Sequence, residues 1–310
     1  MRGKIHYLLA LMLAAAAFGA DERVVYEANS LYHHIIVSER DAARILRFHK
    51  GPASRALGSN FAQSIISLDD PHALYMNYAR YCISCTALVE NPRRVLFIGL
   101  GAGSMPKFFA RAFPDCAVEV AEIDAKVVEV ARRFFFLPEL ENMKITVMDG
   151  RIFLRQSPRK YDIIFLDAYR DQLIPFHLMT RDFLAEVKER LAEGGILVSN
   201  VAVRDSAQLY PWLLRTYQSC FGALLRARVA GSINKVLVAG AEPGAVTEEN
   251  FSEKAAALAS RINFGYDAAA CAADFDDIST STETERILTD DYAPVNLMWR
   301  READSEDWEY

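Results

Sequence analysis

The chain has 310 residues, 52% of them hydrophobic and 25% charged, with a formal net charge of -6. This is ordinary globular composition, long enough for one large domain and a small companion. No basic run exceeds two or three residues, which argues against a nucleic-acid partner.

The first element is a targeting pattern. Arg2 and Lys4 precede an apolar run, Tyr7 to Phe18, followed by the small residues Gly19 and Ala20 and then Asp21-Glu22. A positive start, an apolar core and a small-residue exit are the marks of a secretory signal. Cleavage after Gly19 puts Ala17 at the −3 position, whereas cleavage after Ala20 would put bulky Phe18 there. The run is too short to span a bilayer comfortably. The expectation is an exported protein, periplasmic or secreted, lacking residues 1–19. The alternatives are a membrane anchor or a cytoplasmic chain.

Residues 23–69 read as β-rich. "RVVYEANSLYHHIIVSE" and "ARILRFH" carry β-branched and aromatic residues between turn signals such as Lys50-Gly51-Pro52. Alternation along "LYHHIIV" sends His33 and His34 to opposite faces, so they are not an obvious metal pair. Pro71 to Val89 reads as helical, with Tyr75 and Tyr78 on one face. Cys82 and Cys85 have C-x-x-C spacing, but no second Cys or Cys/His pair completes a zinc site, and packed thiols are expected, with a redox pair as the alternative in an exported chain. Asn91-Pro92 then breaks the chain. The expected division is an N-terminal β-domain with a linking helix over 20–90 and a second domain over 91–310.

Beyond Pro92 the pattern alternates. Strands are expected at Val95–Ile98, Val118–Ile123, Ile145–Met148, Ile163–Leu166 and Ile196–Asn200. Helices fit between them at Met105–Phe113, Ala125–Phe135, Ile152–Gln156 and Thr180–Leu191, the last capped by Thr180 and ended by Gly194-Gly195. A helix over 206–219, a hairpin in "ALLRARVAGSINKVLVAG", a helical stretch over 247–264 and an acidic tail complete the chain. Continuous apolar strands with helical crossovers mean an α/β fold whose parallel sheet is covered on both faces.

In a doubly wound sheet, ligands sit beyond the carboxyl ends of the strands. Strand ends here carry Gly99-Leu100-Gly101-Ala102-Gly103, then Glu122, then Asp149-Gly150, then Asp167-Ala168-Tyr169. The glycines admit a ligand to the backbone. An acid about 20 residues past the turn can accept both hydroxyls of a ribose. Asp149 can accept from an exocyclic amine. Together they describe a nucleoside pocket. The lysine of a phosphate-binding P-loop is absent, since Ser104 and Met105 follow the glycines.

The segments "RRVLFIGLGAGS", "VAEIDAKVV", "MDGRIFL", "YDIIFLDAY" and "LTDDYAPVN" resemble the spermidine synthase family of AdoMet-fold transferases, over roughly Val24 to Asn296. The resemblance implies a mostly parallel, seven-stranded, Rossmann-like sheet preceded by a small β-domain. It implies that Glu122 holds ribose, that Asp149 holds adenine and that Asp167 activates the accepting amine. The co-substrate would be AdoMet or its decarboxylated form, without a metal. The acceptor would be a small molecule such as a polyamine, and a homodimer is compatible with it.

Four departures qualify the resemblance. The family's G-G-G-D-G turn has Ala102 where its Asp pairs with the donor's free amine. Arg170 replaces the second Asp of D-x-x-D, with Asp171 one residue late. The Y-H-E segment reads "MNYARY", and the Gln after Ser-x-Tyr is His33. Arg170 puts like charge near a polycation, and the loss of an acid at 102 suits AdoMet. Aminopropyl and methyl transfer therefore both stay open, as does a catalytically inactive, exported nucleoside- or polyamine-binding protein. His177 is a candidate second acid or base. Tyr78, Tyr169 and Arg170 are candidate substrate contacts. Asp290 and Asp291 fall, by resemblance, at the active-site rim or else in a plain turn.

Overall fold

The structure, a computed structural model, describes residues 22–48, 62–169, 174–280, 284 and 286–292. The expected signal over 1–19, the Lys50-Gly51-Pro52 turn, and Arg170 and Asp171 lie outside the described residues.

The chain opens with an antiparallel sheet, order β1-β2-β3-β4: β1 Arg23–Asn29, β2 His34–Arg40, β3 Ala43–Phe48 and β4 Ser64–Ser67. Ile35 and Val37, two apart on β2, share a face because strand side chains alternate. With Leu46 and Ile66 they pack onto Ala102, Val127, Val130 and Phe135. This face therefore rests on the glycine turn and on the helix that follows the next strand. The linking segment is less helical than its pattern suggests: α1 covers Asn77–Ser84, and a 3-10 turn covers Cys85–Leu88. Tyr75 precedes the helix, so it does not share a helical face with Tyr78.

The large sheet has the order β12-β10-β11-β9-β8-β5-β6-β7. Its strands are β5 Arg94–Ile98, β6 Ala117–Glu122, β7 Met143–Val147, β8 Tyr161–Leu166, β9 Leu191–Ala202, β10 Ala223–Arg228, β11 Asn234–Gly240 and β12 Phe275–Asp277. Between them run α2 Ser104–Ala112, α3 Ala125–Phe134, α4 Gly150–Gln156, α5 Arg181–Arg190, α6 Leu209–Cys220, α7 Phe251–Ala259 and α8 Ala268–Ala273. Strands β5 to β9 pair in parallel. Alternate residues of one strand enter opposite cores: Val95 and Phe97 one cluster, Leu96 and Ile98 the other. Burial on both faces explains the unbroken apolar runs.

Three details differ from the sequence pattern. The sheet has eight strands among the described residues, the eighth being the short edge strand β12. The late hairpin does not simply extend the sheet, because β11 lies between β9 and β10 and is antiparallel to both. Gly194 and Gly195 belong to β9 rather than to the end of α5, which stops at Arg190.

Candidate active site

Strand order reverses at β5, with β6 and β7 on one side and β8 and β9 on the other. A crevice opens at such a switch point, beyond the carboxyl ends of the strands. Here it is a cavity of about 1370 Å³, lined by residues of the glycine turn, Glu122, Asp149, Asp167, Tyr78, Tyr169, His177 and Asn200, among others.

The turn after β5 is built for close approach. Gly99 has φ +99°, and a Cβ there would lie 2.2 Å from the carbonyl oxygen of Asp167. Asp167 N in turn donates to Ile98 O at 2.9 Å. Glycine thus lets the ends of β5 and β8 meet, which puts the Asp167 carboxylate beside the turn. Gly150 plays a similar part, since a Cβ there would lie 2.3 Å from Ile98 Cγ2. Gly101 and Gly103 also have positive φ.

Glu122 is buried at the end of β6. Its two carboxylate oxygens accept from the backbone N–H groups of Leu100 and Asp124, each at 2.9 Å. Burial raises its pKa, and the two N–H donors oppose that rise. Each oxygen keeps a free lone pair, so the pair can still receive a vicinal diol.

Asp149 caps α4, its Oδ1 accepting from Arg151 N at 2.9 Å and Ile152 N at 3.0 Å. Its Oδ2 meets His177 Nε2 at 3.0 Å. The His177 bond holds the Asp149 pKa below its ordinary value, aided by the cap donors and opposed by burial. His177, the candidate second acid or base, lines the cavity and is bonded to Asp149.

Asp167 lies at the end of β8. Oδ1 accepts from Asn200 Nδ2 at 2.8 Å, and Oδ2 accepts a longer bond, 3.3 Å, from Tyr78 OH. Burial raises its pKa, while Asn200 and Tyr78 pull it down. A carboxylate with a raised pKa and one loosely held oxygen is suited to take a proton. Tyr169 is a wall: its OH donates to Asn200 O at 2.9 Å and accepts from Ala202 N at 2.8 Å.

Ala102 is placed elsewhere. Its side chain is fully buried against Ile35, Val37 and Leu46, and its N–H donates to Ser64 Oγ at 3.2 Å. It does not line the cavity. The expectation that this side chain reads the donor's tail is therefore corrected. Asp290 is likewise engaged away from the chemistry. It accepts two bonds from Arg151, at 2.8 and 2.7 Å, and one from Thr180 Oγ1 at 2.7 Å.

Two site residues escaped the sequence reasoning. Asn200 ends an apolar strand run, and only the order β5-β8-β9 brings its amide to Asp167. His33 comes from the N-terminal sheet and lines the cavity. Its Nδ1 meets Asp124 Oδ2 at 3.0 Å, its ring stacks on Phe48 with centroids 3.9 Å apart, and its buried Nε2 has no partner among the described residues. Its replacement of the family's Gln was the signal that could have found it. The glycine cradle, the acceptor pair on Glu122 and this orphaned nitrogen fit a nucleoside.

Comparison with known proteins bears on the same region. The Spermine/spermidine synthase domain matches residues 82–208. A polyamine aminopropyltransferase of Vibrio vulnificus is 29% identical over 303 residues, covering 94% of this chain and 96% of the relative. The chain is thus similar to the spermidine synthase family over this region. A probable spermidine synthase from Corynebacterium glutamicum shares the fold of this chain, with TM-score 0.65, 20% identity, and coverage of 84% of this chain and 95% of the other. Human methyltransferase-like protein 13, solved in complex with SAH, has TM-score 0.56 and 26% identity, covering 60% of this chain and 92% of its own. The chain thus resembles both aminopropyl- and methyltransferases, and its glycine turn, Glu122, Asp149 and Asp167 all fall within the matched domain.

Proposed function

We propose that the protein binds an AdoMet-type sulfonium nucleoside and transfers an alkyl group from it to an amine. The observation that carries this is the meeting of the glycine turn, Glu122, Asp149 and Asp167 in one cavity at the switch point. The sulfonium supplies an electrophilic carbon and a good leaving group. Glu122 would receive the ribose hydroxyls, and Asp149 the exocyclic amine of the base. Asp167 Oδ2, held among the described residues by the long Tyr78 bond, would orient the attacking amine and take its proton. Oδ1 stays on Asn200, so the carboxylate does not turn. Placing two reactants in one oriented cavity supplies much of the rate in such a reaction. The polyamine named for the Vibrio relative is the first acceptor class to test.

Calorimetry with methylthioadenosine, followed by turnover with putrescine and other amines, tests the reading. Wild type should bind the nucleoside, and Glu122→Ala should weaken it by about 1–3 kcal/mol, the cost of unpairing a buried polar group. Asp167→Asn should retain binding and lose turnover. Unchanged affinity in Glu122→Ala would overturn the pocket assignment.

We also propose export, on the pattern of Arg2, Lys4, the apolar run and the Ala17-Phe18-Gly19 exit. N-terminal sequencing of protein from its native host should find Ala20 first. An intact Met1 in the soluble cytosolic fraction would refute it.

A further inference from the structure

Among its described lining residues the cavity has three acids, Glu122, Asp149 and Asp167. In the proposed function the first two serve the nucleoside and the third serves the attacking amine. None is left for a second positive charge on the acceptor. An ammonium taken out of water without a partner is costly, so a polycation is poorly served by this wall.

A negative charge is better served. Arg80 lines the same cavity, and no Lys or other Arg does among the described residues. It stands on α1, two residues beyond Tyr78, whose OH reaches Asp167. Its guanidinium is fixed from two sides. Nε donates to Leu74 O at 2.8 Å, and Cζ lies 5.8 Å from the centre of the Tyr266 ring. Neither contact uses the two Nη groups, and no carboxylate pairs with Arg80 among the described residues. A planar guanidinium with a free edge matches a carboxylate, which it can hold by two parallel bonds. The lining contributed by the β10–β11 hairpin is uncharged. Ser232 and Asn234 offer polar groups there, and Val229 and Ile233 offer apolar surface for a methylene chain. Asp167 is held by Asn200 and Tyr78 and not by Arg80. An acceptor that meets both charges must therefore carry its own two charges at separate ends.

We infer that the acceptor is an amine that also carries a carboxylate, an ω-amino acid rather than a di- or polyamine, with its amine on Asp167 and its carboxylate on Arg80. The inference rests on the proposed function and deepens it by naming the acceptor class. It separates this chain from the polyamine in the name of the Vibrio relative. The bond changes are those of the proposed transfer. The amine nitrogen forms the new C–N bond, the C–S bond breaks with its electron pair going to sulfur, and the proton leaves nitrogen for Asp167 Oδ2. The carboxylate takes no part in them and serves as the handle that Arg80 holds.

Calorimetry on protein saturated with methylthioadenosine tests this, because acceptor binding is then read apart from turnover. The probes are 4-aminobutanoate, putrescine and butylamine, which share one amine and differ at the far end. A longer set, 6-aminohexanoate, 1,6-diaminohexane and hexylamine, covers a wider span. At one length or both, wild type should bind the amino acid more tightly than the diamine and the alkylamine. Arg80→Gln should weaken the amino acid by about 10–100-fold, the scale of a hydrogen bond to a charged group. It should leave the alkylamine and methylthioadenosine unchanged, which also reports that the site is folded. Arg80→Glu should reverse the order in favour of the diamine. A diamine that binds wild type at least as tightly as the amino acid at both lengths would overturn the acceptor assignment. So would an Arg80→Gln effect of the same size on the alkylamine, or no binding by any of the six amines. In those cases methylthioadenosine still binds and the nucleoside reading stands. If methylthioadenosine itself fails to bind wild type, the nucleoside reading has failed and the acceptor assignment falls with it.

Discussion

Asn200 Nδ2 donates to Asp167 Oδ1 at 2.8 Å, and Asn200 Oδ1 accepts from Asn234 Nδ2 at 2.8 Å. Ser232 Oγ donates to Asn234 Oδ1 in turn. An ionised carboxylate only accepts, so each amide in this series has one workable orientation. The chain of bonds links the β10–β11 turn to the carboxylate and favours its charged form.

Removing that support should move the proton equilibrium. In Asn200→Leu, Asp167 loses a donor to its ionised form, so its pKa rises further and the base form needs higher pH. The alkaline shift should appear in the pH–rate profile. Activity near neutral pH should fall by about 10–100-fold, from the roughly 1.5–3 kcal/mol of a hydrogen bond to a charged group. An unshifted profile would show that Asn200 does not tune Asp167.

Gly99→Ala should harm both fold and site. The new Cβ would lie 2.2 Å from Asp167 O, and φ +99° is hostile to a side chain. The contact is with backbone, so relief must separate β5 from β8. We expect destabilisation of about 3 kcal/mol or more for a core steric conflict, with loss of nucleoside binding. Thermal denaturation and calorimetry on the same sample would read both.

Asp149 has two duties, and two variants separate them. Asp149→Ala removes the cap of α4 and should cost about 1 kcal/mol of stability as well as affinity. Asp149→Asn keeps an oxygen for the N–H groups of Arg151 and Ile152, so stability should be nearly retained. It replaces the Oδ2 acceptor with a donor, so methylthioadenosine affinity should still fall. Equal affinity of Asp149→Asn and wild type would remove Asp149 from the base subsite.

The Asp290–Arg151 pair predicts a pH signature. The Arg151 bond holds the Asp290 pKa below its ordinary value, with Thr180 assisting and burial opposing. A carboxyl whose folded pKa is depressed adds stability above its unfolded pKa, about 3.9, and loses it as pH falls through the lower folded value. Asp290→Asn should therefore melt below wild type near neutral pH, and the difference should close on acidification past that window. The pair is partly exposed, so the effect should be modest and reduced by salt. Melting curves from pH 7 to pH 2 would check it. A constant difference across that range would show that the charge of Asp290 is not what holds the segment.

Local sequence by itself determined the strand–turn–helix alternation from Val95 to Leu191, because apolar runs, glycines and caps act within a few residues. The positions of Glu122, Asp149 and Asp167 followed at once, since a doubly wound sheet puts every parallel strand end on one rim. Between Val95 and Leu191 most element ends shifted by a residue or two, whereas α1 is short, Gly194-Gly195 joins β9, and the helical stretch expected over 247–264 covers only Phe251–Ala259. What touches what at the rim was decided only by the tertiary structure. Strand order is a long-range property, and it alone brings Asn200 to Asp167 and inserts β11 between β9 and β10. The placement of the N-terminal sheet decides that Ala102 is packed away and that His33 reaches the cavity. Loop packing hands His177 to Asp149 and Asp290 to Arg151. None of these pairings leaves a mark in local pattern, because periodicity records which face of an element is buried and not which residue lies against it.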